Sequence, residues 1–214
     1  MAVVAAPIIV IIRPEWVPVT LTISALFLSI LNSWNQRPYI QVRRMMVPFL
    51  TRLPGAAFGL WLLLQMTALA LQLTVALVVL LAVLFSLSGK QFDYTPGRLG
   101  MAAFVSGIMG TTTSVGGPPM ALVMQYGEPR VIRANLSLYF SYSCTVSLLG
   151  YYFSGLLNQQ LVVESLSFIP FCLIGYFTGI KSQAYVDAGR FRPILLGLCA
   201  TTGTFAMVSA LMEI

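Results

Sequence analysis

Residues 98–133 read RLGMAAFVSGIMGTTTSVGGPPMALVMQYGEPRVIR, and no charge falls between Arg98 and Glu128. The stretch is apolar without being one uniform helix. Two apolar runs, Leu99–Met109 and Met120–Val123 with their flanks, enclose the segment from Gly110 to Pro119, GTTTSVGGPP. Proline lacks an N–H and breaks the helical ladder, while paired glycines favour bends or close backbone approach. Four consecutive hydroxyl residues, Thr111 to Ser114, therefore sit where the chain is expected to unwind. The reading is of two half-helices joined by a polar, charge-free break.

The rest of the chain shows what surrounds that break. Hydrophobic residues make up 58% and charged residues 8%, against roughly 25% charged in an ordinary globular domain; mean hydropathy is +0.87. Residues 16–36, 53–89, 99–127, 134–163 and 193–212 are free of charge, and several reach the ~20 residues needed to cross a ~30 Å hydrocarbon core. The fold class is thus all-α, a polytopic helical membrane protein with residues 1–214 as a single transmembrane domain. Short alternating segments of a β-barrel are missing from the pattern.

Spans are expected over Val17–Trp34, 53–68, 71–88, Ala134–Ser154, Leu161–Ile180 and Pro193–Met212. The 37 uncharged residues of Leu53–Gly89 would make about 55 Å of helix, enough for two crossings with a turn near Gln65–Gln72. Asn35–Arg52, holding Arg37, Arg43, Arg44 and Arg52, reads as a basic loop that sets topology, with an amphipathic piece around Met45–Leu50. Glu128–Arg133 reads as a charged turn.

An internal repeat organises these elements. The run from Pro7, PIIVIIRPEWVPVTLTISALFLSI, resembles that from Pro119, PMALVMQYGEPRVIRANLSLYFSY; LPGAAFG at 53–59 matches IPFCLIG at 169–175. Residues 1–89 form a first repeat and 90–214 a second, each a broken or re-entrant element plus three spans. Three is odd, so with re-entrant elements the two repeats lie inverted. That arrangement places the basic loops 35–52, 90–98, 128–133 and 181–192 on one side and leaves 66–72 and 155–160, without Lys or Arg, on the other, as the positive-inside rule requires.

Net charge is +6, but the basic residues cluster in short loops, which explains the excess without nucleic-acid binding. Cys144, Cys172 and Cys199 lie in apolar segments with no metal-binding or redox spacing, and there is no histidine; no cofactor and no metal are expected. No base neighbours Ser114 or Cys144 in sequence, so the chain is not read as an enzyme.

Irregular backbone at membrane depth survives where protein or a water-filled cavity satisfies it, and broken helices in inverted repeats are where secondary transporters hold substrates. Gly116 and Gly117 can bring amides to an oxyanion, Thr111, Thr112, Thr113 and Ser114 add hydroxyl donors, and Pro118 and Pro119 suit the first turn of a following helix. These eight residues are the candidate substrate site, with Thr112→Val or a bulky residue at Gly117 expected to abolish flux. Tight helix packing is the competing reading for Ser106, Gly107 and Gly110. Glu15 and Glu128, equivalent in the two repeats, are read as interfacial partners of nearby arginines, and Arg133 as a topology charge.

GIMGTTTSVGGPPMALVM, at 107–124, resembles the second-repeat signature of the sulfite exporter TauE/SafE family: a Gly-rich G-x-x-G segment, then G-G-P-P, then an arginine-bearing turn. The basic loop after the first span and the Pro-x4-Gly spans at 54–59 and 170–175 extend the resemblance over nearly the whole chain. It implies a multi-pass permease of a prokaryotic cytoplasmic membrane, its partners the lipid bilayer and a small inorganic or organosulfonate anion, with sulfite the typical cargo; a homo-oligomer is compatible with it. Gly116, Gly117, Pro118 and Pro119 carry over as motif positions. Family members open with a first Gly-rich segment that is not found ahead of MAVVAAPII, so the first repeat is expected to be incomplete at its N-terminus. The alternative is a membrane scaffold or subunit, derived from such a permease, that does not transport.

Overall fold

The computed structural model describes residues 17–87, 95–124 and 128–181, together with Thr201, Thr204, Met207 and Val208. The described residues are helical throughout, without strands. In order they form α1 (Val19–Asn35), a 3-10 turn (Arg37–Tyr39), α2 (Val42–Gln65), α3 (Ala68–Leu87), α4 (Pro96–Thr113), α5 (Gly117–Met124), α6 (Pro129–Phe153), α7 (Gln159–Ser167) and α8 (Ile169–Lys181). The expected half-element at 1–12 and the final span at 193–212 fall outside the description, apart from the four isolated positions in the latter.

Local chemistry accounts for the helix ends. Thr95 caps α4 by accepting the Arg98 amide at 3.4 Å, with Pro96 in the first turn, where its missing N–H costs nothing. Pro129 opens α6 and Asn158 caps α7. The turn between α2 and α3 is only Met66–Thr67, inside the interval anticipated for it. Val42–Gln65 and Gln159–Thr178 are long and apolar enough to cross a membrane. One face of α2 leaves Met46, Leu50, Leu53, Phe58, Trp61 and Leu64 exposed, a surface suited to lipid.

Two boundaries depart from expectation. The basic loop at 35–52 is mostly helix: α2 starts at Val42 and runs through both Pro48 and Pro54. Proline deletes ladder donors, but membrane helices tolerate it where neighbours re-satisfy the backbone. Neighbouring carbonyls of the same run gain extra donors, Val47 O from the Thr51 hydroxyl at 2.9 Å and Phe49 O from the Tyr142 hydroxyl at 3.2 Å. Likewise 128–133 is the cap and first turn of α6, so Arg130 and Arg133 belong to that helix rather than to a loop.

Small residues hold α2 against α4. A Cβ on Gly55 would stand 2.3 Å from the Phe104 carbonyl oxygen, and one on Gly59 would stand 2.7 Å from that of Ile108. Close backbone approach at glycines is the usual way helices associate where water supplies no driving force. Two apolar clusters flank this contact. One joins Val17, Val19, Leu21, Leu63, Val75, Val79 and Tyr151; the other joins Met45, Leu99, Ala103, Met120, Met124 and Tyr139. Between the clusters lie the buried polar residues Arg52 of α2, Ser106 and Thr111 of α4, and Ser143 and Ser147 of α6, and the candidate site lies in that belt.

Candidate anion site at the helix break

The break falls later than the sequence suggests. Thr111, Thr112 and Thr113 complete α4, and the chain turns at Ser114, whose φ of 61° is left-handed. A residue with a Cβ held there costs about 1–2 kcal/mol and needs support. The Ser114 hydroxyl donates to Pro18 O at 2.8 Å and lies 3.0 Å from the Thr22 hydroxyl, tying the break to the start of α1. After Val115 and Gly116, α5 begins. Pro118 and Pro119 carry no N–H, so the donors nearest the break are the Gly116 and Gly117 amides, at the positive end of an eight-residue helix.

The glycines here have different duties. A Cβ on Gly116 would meet Ser106 O at 2.7 Å and Gly110 Cα at 2.9 Å; the Ser106 hydroxyl also donates to Gly116 O. Gly116 is glycine because α4 lies against it. A Cβ on Gly117 would meet only Phe140 Cζ, at 3.6 Å. Its missing side chain leaves room in a cavity.

Arg52 sits in the polar belt with 1% of its surface exposed. Its Nη1 donates to Ser106 O at 3.0 Å; Nη2 donates to Ser147 Oγ at 3.0 Å, with Ser143 O at 3.4 Å and Thr111 Oγ1 at 3.5 Å. The buried Nε has no hydrogen-bond partner. The carboxylates among the described residues, Glu128 and Glu164, stand apart from it: Glu164 accepts from Gln160 on the exposed side of α7, and Glu128 is exposed ahead of α6. Arg52 is thus a permanent cation midway along a helix long enough to span a membrane, bonded among the described residues to carbonyls and hydroxyls rather than to an acid.

A cavity of about 530 Å³ opens beside it. One face of α1 (Thr22, Ala25, Ser29, Asn32) and one face of α6 (Arg133, Ser137, Phe140, Ser143, Cys144, Ser147) form its walls, both at the three-and-four spacing of a helix stripe. Arg52, Gly110, Ser114, Gly116 and Gly117 form its deep end, and Gly175 and Tyr176 of α8 border it. At one end Thr22 of the α1 wall meets Ser114 at the break, and at the other Asn32 Nδ2 donates to Ser137 Oγ of the α6 wall.

Of the eight residues singled out from sequence, Ser114, Gly116 and Gly117 line this cavity. Thr111 lies one layer behind it, its hydroxyl 3.0 Å from Ser147 Oγ and its carbonyl accepting from Tyr151 at 2.6 Å. Thr112 and Thr113 turn their hydroxyls back onto α4, to Ile108 O at 2.9 Å and Met109 O at 2.7 Å. Pro118 and Pro119 shape the start of α5 outside the lining. Sequence reading missed Arg52, Ser143 and Ser147, and it took Arg133 first as a topology charge; Arg133 also lines the cavity. The signal for Arg52 was its spacing: Met45, Pro48, Arg52, Gly55 and Gly59 fall on one stripe. The four arginines between Asn35 and Arg52 led to a loop assignment instead.

Helices that leave apolar faces outward and enclose a cavity lined by Arg52 and Arg133 suit a helical membrane protein. The sulfite exporter TauE/SafE family model matches residues 1–206, and the chain belongs to that family, a family of membrane transporters for sulfite or related anions. No curated protein and no solved structure matches.

Proposed function

We propose that this chain is a permease for small sulfur oxyanions, sulfite or organosulfonates, which it holds at the break between α4 and α5. The observation that carries the reading is Arg52, buried beside the cavity with its charge unmatched by any described carboxylate. A buried ion without a partner is costly, and an anion entering the cavity supplies that partner. Ser147 and the amides of Gly116 and Gly117 add neutral donors suited to oxyanion oxygens. The surrounding apolar clusters lower the local dielectric and strengthen each of these contacts.

In this reading 1–89 and 90–214 are inverted repeats in the cytoplasmic membrane of a prokaryote, and transport exposes the break alternately to the two sides. The Thr22–Ser114 and Asn32–Ser137 contacts, at opposite ends of the cavity, are the ones that separate as α1 moves against α6. Sulfite efflux from proteoliposomes tests the proposal. Flux above that of protein-free vesicles, lost on Arg52→Gln, supports it; an inserted protein that passes no anion supports the scaffold alternative.

A further inference from the structure

The charge of the site also bears on the charge of its cargo, granted the reading above. We infer that the site takes its oxyanion as a monoanion, so that for sulfite the transported species is the singly protonated form. Among the described residues, the end of the cavity at the helix break holds one cation, Arg52. The titratable groups that face it are Tyr139, Tyr142, Cys144 and Tyr151, all from α6, and side chains of these types are uncharged at neutral pH. One unit of positive charge balances one unit of negative charge. A dianion at the same place would leave an uncompensated charge between two apolar clusters, where burial is penalised heavily.

Arg133, the other cation of the lining, does not supply the second charge. It lies ten residues from Ser143 on α6, about 15 Å along the helix axis, out of hydrogen-bond reach of an anion held at Arg52, and it makes contacts of its own. Arg52 directs Nη1 to Ser106 and Nη2 to Thr111, Ser143 and Ser147, which leaves the Nε–H and one Nη1 hydrogen to grip a single oxyanion. The remaining contacts to an anion come from neutral hydroxyls and amides.

The inference also bears on coupling. Among the described residues no carboxylate lines the cavity, so none there lends a proton to the transport step. Sulfite gains its second charge near neutral pH and can carry the proton itself: it is bound singly protonated, crosses, and releases the proton to water on the far side.

Three anions separate the possibilities in proteoliposomes of the full chain: sulfite, which changes charge across the neutral range; methanesulfonate, always a monoanion; and sulfate, a dianion. Over the two pH units above sulfite's second ionisation, its flux should fall about tenfold per unit with its monoanion fraction. Methanesulfonate flux should stay level, and sulfate should not compete. Sulfite flux that is level or rises with pH, or competition by sulfate equal to that by methanesulfonate, overturns the inference while leaving the permease intact. Absence of flux for all three, with insertion verified, overturns the permease reading and this inference with it. Arg52→Lys, which keeps one charge, should retain the monoanion preference at reduced flux; a switch to sulfate in that variant would also overturn it.

Discussion

Arg52 and Ser106 meet across 3.0 Å, the guanidinium of one donating to the main-chain carbonyl of the other, and the Ser106 hydroxyl donates onward to Gly116 O. The chain of contacts fixes the cation of α2 to the floor of the cavity. Hydrogen bonds to charged groups contribute about 1.5–3 kcal/mol each. Arg52→Gln should therefore reduce sulfite flux roughly 10- to 100-fold and lower the melting temperature in detergent, because the Ser106 and Ser143 carbonyls lose their donor. Arg52→Lys keeps the charge without the fork and should recover part of the flux. Gln and Lys variants equally active, at wild-type rate, would remove Arg52 from the site.

Gly116 and Gly117 are adjacent but should respond differently to alanine. At Gly116 the new methyl collides with backbone of α4, 2.7 Å from Ser106 O, which overpacking data place at about 1–3 kcal/mol. At Gly117 the methyl meets only the end of Phe140 at 3.6 Å and projects beside the cavity. Gly116→Ala should lower thermal stability. Gly117→Ala should melt as wild type yet transport more slowly, and Gly117→Leu should block transport. A destabilised Gly117→Ala with normal flux per folded molecule would assign that glycine to packing.

The split between these neighbours marks how far sequence reasoning reached. GTTTSVGGPP declared a broken element because glycine and proline act locally on the backbone, and the structure puts a break there. Which donors face the cavity depends instead on where each helix points its side chains across the bundle. Thr112 and Thr113 turned out to be spent on their own helix, since a threonine hydroxyl in a helix readily finds the carbonyl three or four residues back. Arg52 was misplaced for a related reason: four arginines within 35–52 read as a topology-setting loop, while the groups that Arg52 bonds lie on α4 and α6, more than fifty residues away.

Those hydroxyl geometries revise one expectation. Thr112→Val removes only bonds to Ile108 and Met109 within α4, so its effect on flux should be under about twofold and its stability change within about 0.5 kcal/mol. Ser147→Ala removes a 3.0 Å contact to Arg52 and another to Thr111, and it should cut flux about 5- to 10-fold, as expected for roughly 1–1.5 kcal/mol. Parallel efflux assays decide between them; a larger loss from Thr112→Val than from Ser147→Ala would return the site to the threonines.

The α2–α4 contact should be intolerant at one glycine and forgiving at another. Gly55→Ala sets a methyl 2.3 Å from the Phe104 carbonyl oxygen, a backbone atom that cannot step aside, and should cost at least about 3 kcal/mol. Gly100→Ala meets the side-chain methyls of Val47 and Thr51 at 3.2 and 3.3 Å. These can yield, and alanine's better helix propensity offsets the crowding by about 1 kcal/mol. Thermal melts in detergent should show a large loss for Gly55→Ala and little change for Gly100→Ala. Similar melts for both would mean that the two helices do not meet at Gly55.

Cys144 offers a report on occupancy, because it lines the cavity near the Arg52 end and is not in a disulfide. With Cys172 and Cys199 replaced by alanine, a small anionic thiol reagent should label Cys144, drawn in by the same cation that attracts substrate. Saturating sulfite should slow that labelling several-fold, and Arg52→Gln should abolish the protection. Methanesulfonate, which does not react with thiols, controls for chemistry between sulfite and the reagent and should protect as well. Labelling unaffected by either anion, at concentrations that saturate flux, would place the substrate away from the break between α4 and α5.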